Sequence, residues 1–395
     1  MTVGMRIRQY RTARGFTLSE LAERMVPPVS KQALSKFEHD LTTPRPTTLA
    51  AIARALEVKP SQLIAEPRYE FKVLAHRALK SLPAREAARI ENTVRIELER
   101  RLGLMDVLGL EHKNPFPSER ILVSEVSDAE NAAELLRSAW NLGTGPIANV
   151  VETLEAKGAH VVDVDTDRSF DGLAVIAADE SGERVACGIA TRSEVTRARQ
   201  RMSHAHETGH LAADVTEGVD EEQVARRFAG AFLYPAAAAR EEFGTRRSRI
   251  TADELFNAKR RWGVSIQGIL YRLHDLGILD DSGYTWWCRY VNQAGWRRDE
   301  PGDEPPERST WTGTYAHRAA AEGLIARETL AGYVPEVAGR TAPADLDRRA
   351  LMKLPLEERR RVLKAHAEEV ADEYNRELDR EWLEADLGER GGCDG

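Results

Sequence analysis

The chain has 395 residues, 42% hydrophobic and 30% charged, a globular composition too long for one ordinary core, so two or three domains are expected. It contains no run of about 18 apolar residues, which excludes a membrane-spanning helix, and the basic start lacks the apolar stretch of a secretory signal. Cys187, Cys288 and Cys393 lie too far apart in sequence for a Cys-x-x-Cys metal site and too few for a disulfide framework, so the expected location is the reducing cytoplasm.

The net charge of −8 argues against a nucleic-acid partner until it is divided along the chain. Residues 1–65 carry ten Lys/Arg against five Asp/Glu, or +5, which leaves −13 for the remainder. A basic first domain on an acidic protein points to phosphates at that end alone.

Residues 1–65 read as short helices. Met5, Ile7 and Tyr10 begin an apolar stripe that stops at Gly15. Thr17, with Glu20 three residues on, has the form of a capping box ahead of Leu18, Leu21 and Ala22. Pro27-Pro28 interrupts, and Ser30 restarts a helix whose inner face holds Ala33, Leu34 and Phe37. After a loop at Thr43-Pro44-Arg45-Pro46, Leu49, Ile52, Ala53 and Leu56 line a further helix, and residues 60–63 a last short one.

Residues 66–128 read as a helical connector, with the helix over 84–102. In 129–298 the pattern gives a helix from Ala129, another over 147–157 stopped by Gly158, and a β-branched strand over 159–164. Strands over 173–178 and 185–190 follow, joined by a turn at 179–182. Helices are then expected over 197–213, 221–232, 252–262 and 266–273. Residues 299–345 read as a loop and helical extension, in which the acidic, proline-rich 299–308 is expected to be mobile. Residues 346–395 read as a charged amphipathic helix and tail. The predicted fold class is mainly α with a small β-sheet (α+β).

The second and third helices, joined by a short turn, make a helix-turn-helix. The second of the pair exposes Lys31, Gln32, Ser35 and Lys36, with Ser30 at its start. Glutamine can pair with adenine N6/N7, and lysine with guanine O6/N7 or phosphate. Arg45 is placed to hold backbone phosphate, which positions without specifying. The runs Phe16 to Arg24, Val29 to Glu38 and Thr43 to Leu56 resemble the Xre/Cro/CI-type helix-turn-helix family over about 60 residues. That resemblance implies an all-helical domain that binds a double-stranded DNA operator, commonly as a homodimer. The chain departs from the family at Ser19, where members often carry Gln, and at Pro27-Pro28.

The second motif is His206-Glu207-Thr208-Gly209-His210. On a helix, residues four apart differ by about 40° and rise about 6 Å, so both imidazoles face one point. Two histidines and a carboxylate can hold Zn²⁺ with one position left for water. Glu207 stands beside the first histidine, suited to take the proton of that water. The residues alone leave Glu221, Glu222 and Asp214 open as the third donor. His204 lies about 200° around the helix from His206 and reads as a packing or surface histidine. Trp262, Trp286, Trp287 and Trp296 read as core and surface aromatics.

The setting of this motif resembles the ImmA/IrrE-type metallopeptidase family. The match is carried by Gly143-Thr144-Gly145-Pro146-Ile147, by Phe170-Asp171-Gly172-Leu173, by Arg199 through His210, and by Asp220 through Pro235. The resemblance implies a zincin-like domain, zinc bound by His206, His210 and Glu222, and Glu207 as general base. Thr208 and His204 replace residues usually apolar in the family, and Val224-Ala225-Arg226 replaces its usual acid-Ala-Asn run.

Leu363, Ala367, Val370, Tyr374, Leu378 and Trp382 recur at three- and four-residue steps in the C-terminal segment. The segment from Leu354 to Trp382 is similar to short helical antitoxin tails, which implies a toxin partner. The functional expectation is a DNA-bound regulator with a zinc-dependent endopeptidase that cuts a repressor, antitoxin or other regulator. The alternative is a regulator whose peptidase-like domain senses a ligand or docks a partner without catalysis.

Overall fold

The computed structural model describes residues 1–66, 68–74, 82–112, 116, 120–166, 170–333, 354–356, 358–361 and 364. The chain forms two compact units, Met1–Tyr315 and Ala316–Gly395.

The first unit begins with five helices: α1 (Val3–Ala13), α2 (Leu18–Arg24), α3 (Lys31–Glu38), α4 (Pro46–Ala55) and α5 (Pro60–Ile64). The capping box forms as read: Thr17 Oγ1 accepts from the Glu20 N–H at 3.2 Å and Glu20 Oε2 from the Thr17 N–H at 2.6 Å. Ile7, Leu21, Leu34, Ile52, Leu56 and Leu63 are wholly buried in a core of their own.

Next come β1 (Glu70–Val73) and α6 (Ala84–Val107), longer than the helix read from sequence. Helix α6 serves two cores. Ile90, Val94, Leu98 and Leu102 recur every four residues and pack on a β-sheet, while Ile96, on the opposite side, packs on the N-terminal core. Buried Arg6 of α1 bonds Glu99 of α6 at 2.5 Å, and Thr93 reaches the Ala13 carbonyl at 3.4 Å.

The sheet joins β1, β3 (Ala159–Val164), β4 (Gly172–Ala178) and β5 (Arg184–Arg192) in the order β1-β4-β5-β3. β4 is antiparallel to β1 and β5, and β3 is parallel to β5. β4 is buried along nearly its whole length, as a strand covered on both faces requires, and its side chains alternate between two cores. Leu173, Val175 and Ala177 meet α6, and Ala174 and Ile176 face the larger core. That core is built by α7 (Ala129–Ala139), α8 (Val150–Ala156), α9 (Arg197–Ala212), α10 (Glu221–Leu233), α11 (Ala236–Phe243), α12 (Ala252–Trp262), α13 (Ile266–Asp275) and α14 (Asp281–Gln293). A short parallel pair, β2 (Ile121–Val123) with β6 (Ala213–Val215), closes the end of α9. The fold class is α+β, mainly helical, as expected. Within 66–128, expected as a helical connector, the chain also supplies β1 to the main sheet and β2 to the small one.

Residues 299–308 carry no regular structure, as read, but they are a pinned strap rather than a mobile loop. Buried Glu300 accepts from Lys259 Nζ at 2.6 Å and from the Ile266 N–H at 2.9 Å. Buried Glu307 accepts from the Val150 and Val151 N–H groups at 2.8 and 3.1 Å, satisfying the first turn of α8. Its backbone exchanges two hydrogen bonds with the Gln200 amide of α9, at 2.8 and 2.7 Å. The acidic composition that suggested mobility supplies the buried acceptors that fasten the strap.

Helix α15 (Trp311–Ala321) starts at the end of the first unit. The second unit then holds α16 (Arg327–Tyr333) and an Arg318–Glu322 ion pair at 2.8 Å. Leu363, Ala367, Val370, Tyr374, Leu378 and Trp382, which carried the C-terminal stripe, lie outside the described residues.

Glu307→Ala should strand two buried N–H groups and remove the carboxylate beside buried Arg201, a loss of about 3 kcal/mol. Chemical denaturation should register that cost, and hydrogen exchange should rise within 299–309; unchanged exchange there would show the strap to be held by other means.

Candidate metal centre

Helix α9 is buried almost all round, an unusual environment for a segment carrying four charged or polar side chains in its last turns. Thr196 starts it, and it ends at Ala212 where the chain turns directly into β6. Helix α10 then runs back along it. Asp220 caps α10 by accepting from the Glu222 and Gln223 N–H groups at 3.0 and 3.2 Å. The cap fixes the first turn of α10, and with it Glu221 and Glu222, against the last turns of α9. The two helices can approach because position 209 is glycine: a Cβ there would lie 3.1 Å from Phe228 Cδ1 and 3.3 Å from Ala225 Cα.

The result is a convergence of three donors. His206 Nε2 and His210 Nε2 are 3.2 Å apart. Glu222 brings Oε2 to 3.5 Å from His206 Nε2 and Oε1 to 3.7 Å from His210 Nε2. Four tetrahedral donors about 2.1 Å from one cation stand about 3.4 Å from each other. The three ligand atoms, all within 4.8 Å of one another, therefore fit a small divalent cation. Glu221 is not a fourth member of the cluster. Its Oε1 stands 3.3 Å from His210 Nδ1, the ring nitrogen turned away from the donors. A carboxylate there fixes the tautomer that leaves Nε2 free to ligate. Asp214 is exposed on β6, 3.9 Å from Arg120, and takes no part.

Burial favours the neutral ring at His206. The His206 imidazole is pushed down to about 4 by burial first and by His210 second. Glu207 is pushed the other way, up to about 8, by burial first and then by Glu222 and Asp171. One of its oxygens, Oε2, is buried with no hydrogen-bond partner in the protein. The carboxylate rests against Gly172 at the start of β4, where a Cβ would lie 2.7 Å from Glu207 Oε1, and it accepts from the Ala174 backbone. His204 is a wholly buried packing histidine, with Nε2 3.0 Å from Thr191 Oγ1 of β5. Thr208, polar where an apolar residue was expected, donates to the His204 carbonyl at 2.8 Å.

His206, Glu207, His210 and Glu222 line an open cleft of about 980 Å³. Arg192, Arg199, Arg226 and Arg297 also line it, and of these Arg192 and Arg297 had no place in the sequence reading. Arg199 bonds Asp171 at 2.6 Å, so the loop before β4 is tied to α9. Gly172 and Asp171 lay inside a quoted run, yet only the packing reveals what they do.

On the N-terminal domain, Lys31, Gln32 and Lys36 are exposed along α3, with Ser35 half-buried between them. Ser30 is exposed as the N-cap of α3, and its Oγ accepts from the Ala33 N–H at 3.2 Å. Arg45 is exposed at the start of α4. The six residues read as DNA-facing thus lie on α3, at its start and on the loop beyond it. No helix among the described residues is long and apolar enough to cross a membrane.

Residues 7–63 match the helix-turn-helix family model, and residues 179–274 match that of the IrrE N-terminal-like domain. No curated protein matches the chain. The second match begins just before β5, so β3, β4 and Gly172 lie outside it although they pack against the metal-centre helix.

His206→Ala, His210→Ala and Glu222→Ala should each abolish retention of a divalent metal after dialysis. Glu221→Ala should keep it with affinity about 10- to 100-fold weaker. Gly209→Val, which changes no donor, should lose the metal as well by forcing α9 from α10. Elemental analysis decides, and full retention in Glu222→Ala would remove that residue from the donor set.

Proposed function

We propose that this chain, which joins a helix-turn-helix domain to an IrrE N-terminal-like, metallopeptidase-like domain, is a DNA-binding regulator that hydrolyses a peptide bond in another regulatory protein with the help of zinc. The observation that carries the catalytic part is Glu207. A centre that only bound or sensed a metal would need the two histidines and Glu222, but not a second carboxylate buried beside them, on a residue that lines the cleft and with one oxygen unpartnered among the described residues.

His206, His210 and Glu222 are the residues that would hold the ion. When bound, zinc supplies Lewis acidity toward a peptide carbonyl and acidifies a water. The protein's own part is proton transfer and positioning. Glu207 takes a proton at Oε2 as the water oxygen bonds to the carbonyl carbon. It returns that proton to the amide nitrogen as the carbon–nitrogen bond breaks, giving a carboxylate and an amine. Gly172 leaves space for this carboxylate and the Ala174 N–H holds its orientation. The cleft is open and about 980 Å³ in volume, which suits a polypeptide strand more than a small enclosed substrate.

At the other end, α3 enters the major groove with Lys31, Gln32 and Ser35 toward base edges. Ser30, Lys36 and Arg45 hold phosphates. The substrate is a protein brought to the same operator or held beside it: a repressor, an antitoxin or a related regulator.

Two measurements test the reading. Zinc-loaded protein should cut a regulator encoded beside it, and Glu207→Gln should keep zinc yet cut at least about 100-fold more slowly; undiminished cutting by that variant would refute Glu207 as the base. Gln32→Ala should lose about 1–3 kcal/mol on its operator and relax one base position. Arg45→Ala should weaken all sequences alike and flatten the salt dependence. A sequence-independent loss from Gln32→Ala would move that residue from base to phosphate.

A further inference from the structure

A smaller hollow of about 310 Å³ opens off the metal cleft. Ala198, Met202, Arg226, Ser265, Gln267 and Arg297 line both spaces, so the two adjoin. Away from those shared residues the hollow has apolar walls in Leu233 of α10, Val264 and Leu270 beside and on α13, and Val291 of α14. Two of the arginines that line it are engaged, while Arg226 and Arg297, at the border with the metal cleft, are exposed. Arg227 bonds Asp275 at 2.8 Å, and Arg272 binds Glu130 and donates to the Tyr234 carbonyl at 3.0 Å. Past those two arginines a charged occupant would lose its hydration against apolar walls, whereas an apolar one loses nothing.

Its position relates it to the metal centre. Met202 stands one helical turn before His206, and Arg226 one turn after Glu222, each about 6 Å along its helix. Neighbouring residues of an extended peptide are about 3.3 Å apart and direct their side chains to opposite sides. A bond held at the three donors therefore brings an adjacent side chain within reach of the hollow.

We propose that this hollow is a specificity pocket that takes the large uncharged side chain, of the Leu, Met or Phe class, of a residue flanking the cut peptide bond. The proposal rests on the peptidase reading. It makes Met202, Gly230 and Leu270 specificity-determining residues that touch no metal.

Gly230 offers the test. A Cβ built there meets nothing closer than Arg272 Cδ at 3.5 Å, so Gly230→Ala fits and Gly230→Leu extends into the space. Zinc-loaded full-length protein is incubated with a decapeptide library randomised in sequence, and the cut sites are read by mass spectrometry. Wild type should favour Leu, Met or Phe at one flanking position by about tenfold or more over Gly and Ala. Gly230→Ala should retain that preference, and Gly230→Leu should reverse it toward small residues with zinc content unchanged. Cutting without such a preference, or an unaltered preference in Gly230→Leu, overturns the pocket. A second readout does not need turnover, because half-buried Cys288 lines the hollow. In zinc-loaded Glu207→Gln, a Phe-containing decapeptide should shield Cys288 from iodoacetamide, and the same peptide with Gly in place of Phe should not. Equal labelling with both peptides overturns the pocket. Shielding with no cutting by wild type instead removes the peptidase reading and leaves the apolar site standing.

Discussion

The close approach of α9 and α10 at Gly209 is the constraint on which the metal centre depends. Two histidines four residues apart will share a face on any helix, but the third donor comes from a second helix, and a donor misplaced by an ångström ceases to be one. Gly209 removes the side chain that would hold the helices apart. Asp220 then fixes where α10 begins, so that Glu221 and Glu222, adjacent in sequence, take different tasks: one beside the outer ring nitrogen of His210, the other between the two inner nitrogens. Phe228 and Phe232, stacked at an 11° interplanar angle, continue the same packing below. The chemistry at the top of the helix pair and the apolar packing beneath it are one arrangement.

The opposite face of the sheet carries the other organising element. Helix α6 is shared between the N-terminal core and the sheet that supports α9. Its two apolar sides, with Ile96 on one and Val94 and Leu98 on the other, tie the DNA-facing domain to the strands beneath the metal centre. Arg85 and Arg89 add polar ties at its start, to the Gly15 and Asp165 carbonyls. A connector with one apolar stripe would let the two domains move independently; one with two stripes makes them share a rigid member. α1 packs on α6, and α6 packs on β4, whose Gly172 and Ala174 adjoin Glu207.

Where the sequence was legible, the signal was a period or a cap. Thr17 with Glu20, the apolar steps of α4, the β-branched run from Ala159 and the spacing of His206 and His210 are local patterns, and each appears where the pattern put it. What stayed hidden depends on partners distant in the chain. β2 and β6 have three residues each, too few to show alternation, and exist because they find one another. Helix α14 mixes Gly283, Thr285 and two tryptophans in a run of poor helical propensity, and it forms because Trp287 and Val291 bury on the larger core. The strap at 299–308 looked like a solvated acidic loop because nothing local says that Lys259 or the bare N–H groups of α8 await its carboxylates. The choice among Glu221, Glu222 and Asp214 was open for the same reason, since only the crossing of two helices tells them apart.

The electrostatics of the centre follow from that crossing. Burial in a low-dielectric place disfavours the charged form of an ionisable group. Glu207 resists ionisation and His206 resists protonation, both chiefly through burial. Left to themselves, such groups cost stability, and a fold selected for stability alone would place apolar residues there. A divalent cation would offset that cost for a nearby carboxylate and would need its imidazole ligands neutral, the form that burial already favours at His206. The low proton affinity of the His206 ring and the high proton affinity of the Glu207 carboxylate thus share one physical cause, the near-complete burial of α9 between the sheet and α10.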